Sequence, residues 1–105
     1  MTPYVDRVLH CYRTLPDTLG HVRHGDRQLA CDLEQRAVPL ALVEAALCLA
    51  ALRRRLRPST APPLPPIRSL HYIQPILHEL QLSPPDPDYL VYLHDRLRRL
   101  THTSL

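Results

Sequence analysis

The feature that most constrains this chain is the run from Leu40 to Leu56, its densest apolar stretch, which follows Pro39 and closes on Arg53, Arg54, Arg55 and Arg57. Leu40, Val43, Leu47 and Ala50 form one helical stripe, and Ala41, Ala45, Cys48 and Leu52 form a second, mostly small one. A helix that is apolar on two sides needs neighbours on both, so this run is expected at the centre of the fold. The small stripe lets one neighbour approach closely. The apolar stretch from Val38 to Leu52 carries Pro39 and Glu44 and is shorter than the roughly 20 residues of a membrane span, so no membrane partner is expected. The arginines crowd the last turn, where positive charge complements the negative end of the helix dipole.

Other segments have the same period. Thr2 as N-cap and Pro3 in the first turn open a helix to about Leu15, with Val5, Val8, Leu9, Tyr12 and Leu15 on one face. Pro16 to Gly25 holds Pro, both glycines and Asp17, and reads as a loop. Asp26 is expected to cap a second helix carrying Leu29, Ala30, Leu33 and Ala37. Residues 58–66, Pro-Ser-Thr-Ala-Pro-Pro-Leu-Pro-Pro, cannot continue a helix and read as a short, stiff connector. Ile67 to Leu82 is helical by period, with Pro75 expected to kink or split it. A last helix starts from Asp86 and Pro87 and carries Leu90, Leu93, Leu97 and Leu100, with Thr101 to Leu105 expected to fray.

The 105 residues are the size of one domain. Phe and Trp are absent, and roughly a fifth of the chain is Leu, so the core is aliphatic. The expected fold is an all-α, compact single-domain bundle of about five helices spanning 1–105, with the Pro-rich connector inside it. No signal-peptide pattern is present at the start, and Cys11, Cys31 and Cys48 sit far apart in helical apolar patterns, as free thiols in a reducing cytoplasm would.

Net charge is +3, and residues 1–57 hold nine Arg against six acids, whereas 58–105 hold four against four. Such an excess permits a polyanionic partner without amounting to a basic arm. Seven His suggest metal, but no Cys-x-x-Cys or His-Glu-x-x-His occurs, and His10 and Cys11 point to different helix faces, so neither metal nor cofactor is expected. Glu44 near the start of its helix is read as capping or pairing with an Arg. A cleft joining it to two histidines would instead indicate catalysis. No Gly-rich elbow or phosphate loop accompanies any Ser, Thr or Cys, and no enzyme is expected. The second and third helices have helix-turn-helix spacing, yet Leu40-Ala41-Leu42-Val43 offers nothing to read base edges. Arg53, Arg54, Arg55 and Arg57, with Arg68 across the connector, make the better footprint, one that would contact phosphates with little sequence preference.

Within Asp26 to Leu82, an apolar helix pair and a loop precede Ser69-Leu70-His71-Tyr72-Ile73-Gln74-Pro75-Ile76-Leu77. This region resembles the C-terminal helical domain of DnaD-like primosome proteins, which load the replicative helicase and bind DNA. Tyr72 and Ile76 match the family's spaced Tyr and Ile linked to single-strand binding, whereas Leu80 stands in place of its Trp and lacks a stacking face. The whole chain is also similar to small bacterial proteins of mobile elements that have the same Pro-rich segment followed by Arg-Ser-Leu-His-Tyr. These resemblances imply an accessory protein of DNA replication or mobile-element maintenance, with Tyr72 as a stacking residue beside the five arginines. The alternative is a module that docks a helicase, a recombinase or a second copy of itself through apolar helix faces.

Overall fold

Thr2 and Pro3 start the first helix as their chemistry requires. In the computed structural model, which describes residues 2–102, α1 spans Pro3–Thr14 and the Thr2 hydroxyl accepts the Val5 N–H at 3.2 Å. The same hydroxyl donates to Glu34 at 2.9 Å, and the Tyr4 phenol donates to the Val38 carbonyl at 2.8 Å. Both bonds tie α1 to the end of α2, His24–Gln35. Helix α3 spans Leu40–Arg55, a 3-10 turn covers Leu70–Ile73, α4 spans Gln74–Leu82 and α5 spans Tyr89–His102. The described residues contain five α-helices and no strand. Residues 103–105 of the stretch expected to fray lie outside the described residues.

Helix α3 is the central post. It packs against α1, α4 and α5, and it buries Val43, Leu47, Leu52 and the small residues Ala45, Ala46, Cys48, Ala50 and Ala51. Leu90 lies beside Ala41 and Ala45, and Leu97 beside Leu47 and Cys48, so α5 runs along α3 in the same direction. Small side chains on α3 permit that approach. Helix α2 packs instead on α1 and on the 3-10 turn.

Three boundaries differ from the sequence reading. Asp26 is not the N-cap of α2: the helix starts at His24, and Asp26 sits in its first turn, where its Oδ2 accepts the Arg23 N–H at 2.9 Å. The stretch around Pro75, expected to kink or split, is split, and helical structure starts at Leu70 rather than at Ile67. Ile67 leaves helical geometry to form an isolated parallel bridge with Thr18, Ser69 caps the 3-10 turn through its hydroxyl, and α4 begins afresh at Gln74. Pro75 thereby occupies the first turn of α4, where its missing N–H deletes no helical bond. Helix α5 starts at Tyr89 rather than at Asp86, whose carbonyl accepts the Tyr89 N–H in a preceding turn.

The Asp26 carboxylate also fixes the 3-10 turn. Its Oδ1 accepts the Leu70 N–H at 2.8 Å and the Ser69 hydroxyl at 3.4 Å, and the residue is 1% exposed. The backbone of Ile67 meanwhile donates to the Asp17 carbonyl at 2.7 Å and accepts from Leu19 at 3.3 Å. The loop after α1 and the segment after the connector are therefore stitched together beside the end of α3.

Candidate nucleic-acid interface

The arginines of the α3 end differ sharply in what they touch. Arg53 forks onto Glu79 of α4, with Nη1 to Oε2 at 2.9 Å and Nη2 to Oε1 at 3.3 Å. This pair holds the Glu79 carboxyl below the usual carboxylate range and pushes the Arg53 guanidinium up.

Arg54 points inward, and its side chain is 8% exposed. Its Nη2 donates to the Pro65 carbonyl at 2.6 Å, its Nη1 reaches the Tyr72 hydroxyl at 3.4 Å, and its guanidinium carbon lies 5.6 Å from the centre of the Tyr72 ring. Its Nε stands 3.6 Å from an Asp17 oxygen, a charge contact longer than a hydrogen bond, and makes no hydrogen bond among the described residues. One planar fork thus gathers the loop, the connector and the 3-10 turn, a task that suits guanidinium geometry.

Among the described residues, the ion contact of Arg55 is a 3.9 Å approach to the other Asp17 oxygen. Arg57 is half-buried and lines a notch of about 230 Å³ with Asp17, Arg54 and the connector residues Pro62, Pro63 and Leu64. Arg68 is exposed and follows Ile67, so it emerges beside the Asp17 loop. Neither Arg57 nor Arg68 forms an ion pair among the described residues. Tyr72 is 42% exposed, with Arg54 against its ring.

The fold therefore places all six residues at one end of the molecule but gives them different tasks. Arg54 is structural, Arg53 is paired, and Arg55, Arg57 and Arg68 present charge outward. The sequence reading missed Asp17, Glu79 and the Pro65 carbonyl. No local pattern identifies them, because each meets its arginine across a long stretch of chain.

A second cleft, of about 220 Å³, lies between α1, α3 and α5, and Glu44, His10 and His94 line it together with Cys11 and Cys48. This is the cleft joining Glu44 to two histidines that the sequence reading set as the sign of catalysis, but Glu44 is already engaged there: Arg7 Nε donates to it at 2.6 Å and the Cys11 thiol at 3.4 Å. Burial pushes the Cys11 thiol up to about 11 and Cys48 up to about 12, which keeps both protonated and poorly nucleophilic at neutral pH. Among the described residues no group of three or more His, Cys, Asp or Glu is placed to hold a metal ion. No helix there is long and apolar enough to cross a membrane. Neither a family model, a curated protein nor a solved structure matches this chain.

Proposed function

We propose that this chain is a non-enzymatic accessory protein that contacts nucleic-acid phosphates at the end of α3, in DNA replication or mobile-element maintenance. The observation that carries the reading is the distribution of charge. Of the five arginines at this end, Arg53, Arg54 and Arg55 meet two carboxylates, Asp17 and Glu79, while Arg57 and Arg68 form no ion pair among the described residues, whereas the rest of the chain balances eight arginines against eight acids. The whole net charge of +3 is therefore concentrated at this end. Arg55, Arg57 and Arg68 are the phosphate contacts, Arg53 joins them by exchanging Glu79 for phosphate, and Arg54 and Tyr72 hold the platform. The resemblance of the segment around Tyr72 and Ile76 to DnaD-like domains supplies the biological process.

Titrating labelled single- and double-stranded DNA by fluorescence anisotropy at two salt concentrations tests this. Four arginine–phosphate contacts give log K a slope against log salt of about −3 to −4. Replacing Arg55, Arg57 and Arg68 with Ser should abolish most of that slope. Absence of binding at low salt, or binding indifferent to the triple substitution, removes the reading. A protein-docking role has one specific observation in its favour: Leu56, between Arg55 and Arg57, and Leu64, in the notch with Arg54 and Arg57, are exposed apolar side chains that phosphate contacts do not need.

A further inference from the structure

The inward face of α5 carries Leu93 and Leu97, both buried. Its outward side is preceded by Asp88, in the turn just before the helix, continues through Val91, Tyr92 and Asp95, and ends with Arg98 and Arg99. Val91 is 69% exposed and Tyr92 49%. Tyr92 is held in place, its ring stacked on Tyr89 with centroids 6.1 Å apart and its hydroxyl met by Arg96 at 3.3 Å. Beside this stripe an open groove of about 840 Å³, lined by Arg7, Glu44, Leu90, Val91 and His94, gives a second helix room to seat.

Exposed apolar side chains alone do not choose a partner. The order of charges does. The stripe is acidic at its start, apolar in the middle and basic at its end, where Asp95 meets Arg98 and Arg99 at 2.8 Å each. Such a stripe is complementary to itself when one copy is turned end for end, which is the condition for an isologous two-fold interface. Parallel pairing would set acid against acid and base against base.

We propose that this face of α5 pairs two copies of the chain, antiparallel about an axis near His94. Asp88 of each copy then meets Arg99 of the other, and the Val91 and Tyr92 side chains of both pack near the axis. The proposal is independent of phosphate binding, because α5 uses none of the arginines at the α3 end.

Analytical ultracentrifugation over a concentration series tests it, with the fold of each variant checked by circular dichroism. Wild type should shift from monomer to dimer as concentration rises, more readily at low salt. Asp88→Arg alone and Arg99→Asp alone each place like charges opposite one another, which should weaken dimerisation about tenfold or more. A mixture of the two variants should recover the dimer, because in the mixed pair each reversed charge faces its opposite. A wild type that stays monomeric throughout, single variants that dimerise like wild type, or a mixture that stays monomeric would each overturn the proposal.

Discussion

Asp26 and Leu70 lie 44 residues apart in the chain, and the carboxylate of one accepts the backbone N–H of the other at 2.8 Å inside the core. The other oxygen of the same carboxylate closes the first turn of α2 on Arg23. A single buried side chain thus locks the start of one helix to the turn that presents Tyr72. Two backbone N–H groups and the Ser69 hydroxyl supply its hydrogen bonds, and removing it leaves those donors unpaired.

Asp26→Ala should lower stability by about 3 kcal/mol, because a buried donor without a partner costs about 1 to 3 kcal/mol and two backbone donors are affected. Asp26→Asn should cost less but not nothing, since one face of an amide is a donor and meets the Arg23 N–H. Urea unfolding reads both changes. A loss below about 1 kcal/mol for the alanine variant would show that water replaces the carboxylate without penalty.

Arg54 makes a second prediction because its role is geometric. Lysine keeps the charge but has no fork to hold Pro65, Tyr72 and Asp17 at once, so Arg54→Lys should cost about 1 to 2 kcal/mol. Arg55→Ala should stay within about 0.5 kcal/mol, as exposed substitutions usually do. Limited proteolysis adds a local readout: Arg54→Lys should speed cleavage in residues 58–66, and Arg55→Ala should not. Equal effects of the two substitutions would remove the distinction drawn between them.

How far the sequence reveals this architecture depends on the range of the interaction involved. Thr2–Pro3 marks the start of α1 through contacts within one turn, and the two apolar stripes of α3 reveal its central place because burial leaves a periodic trace. Glu44 near the start of an apolar helix announces a need for a cation, and Arg7 supplies it. The cap of α2 lies three residues before the one that Asp26 suggests, because an Asp in the first turn satisfies the same local chemistry as a cap, and its partner Leu70 is remote. Arg54 sits in a run of arginines that reads as a uniformly solvated end. The Thr18–Ile67 bridge brings the Asp17 loop and the segment after the connector together, and Asp17, the Pro65 carbonyl and the Tyr72 hydroxyl meet that guanidinium from remote parts of the chain.

The turn between α2 and α3 offers a stabilising substitution. Ala37 has φ 58°, its N–H donates to the Glu34 carbonyl at 2.9 Å, and the Val38 N–H donates to the Leu33 carbonyl at 3.0 Å. This is a Schellman closure with alanine where glycine is ordinarily favoured. A Cβ in the left-handed region costs about 1 to 2 kcal/mol, offset in part by the greater freedom of glycine in the unfolded chain. Ala37→Gly should therefore raise stability by about 0.5 to 1 kcal/mol, or several degrees in Tm for a chain of this size. A lower Tm would mean that the turn tolerates the methyl group and only the entropy of glycine is felt.

The buried thiols make the last prediction, on the alkaline side. Burial is the main cause that pushes Cys11 to about 11 and Cys48 to about 12, and a hydrogen bond to Glu44 adds to the first. Raised thiol values mean that the folded chain holds these protons more tightly than the unfolded one. Their contribution is complete below the ordinary thiol range, near pH 9, and is lost as pH rises through about 11 and 12. Burial pushes Tyr4 and Tyr12 upward too, so their protons act in the same direction. Tm should therefore be level through neutral pH with respect to these groups and fall above about pH 9. Cys48→Ala should flatten that fall by removing one of the contributing protons, and iodoacetamide should alkylate native Cys11 and Cys48 far more slowly than the unfolded chain at neutral pH. Rapid native alkylation of both, or an alkaline fall unchanged by Cys48→Ala, would show that burial does not shield the thiols at the cleft between α1, α3 and α5.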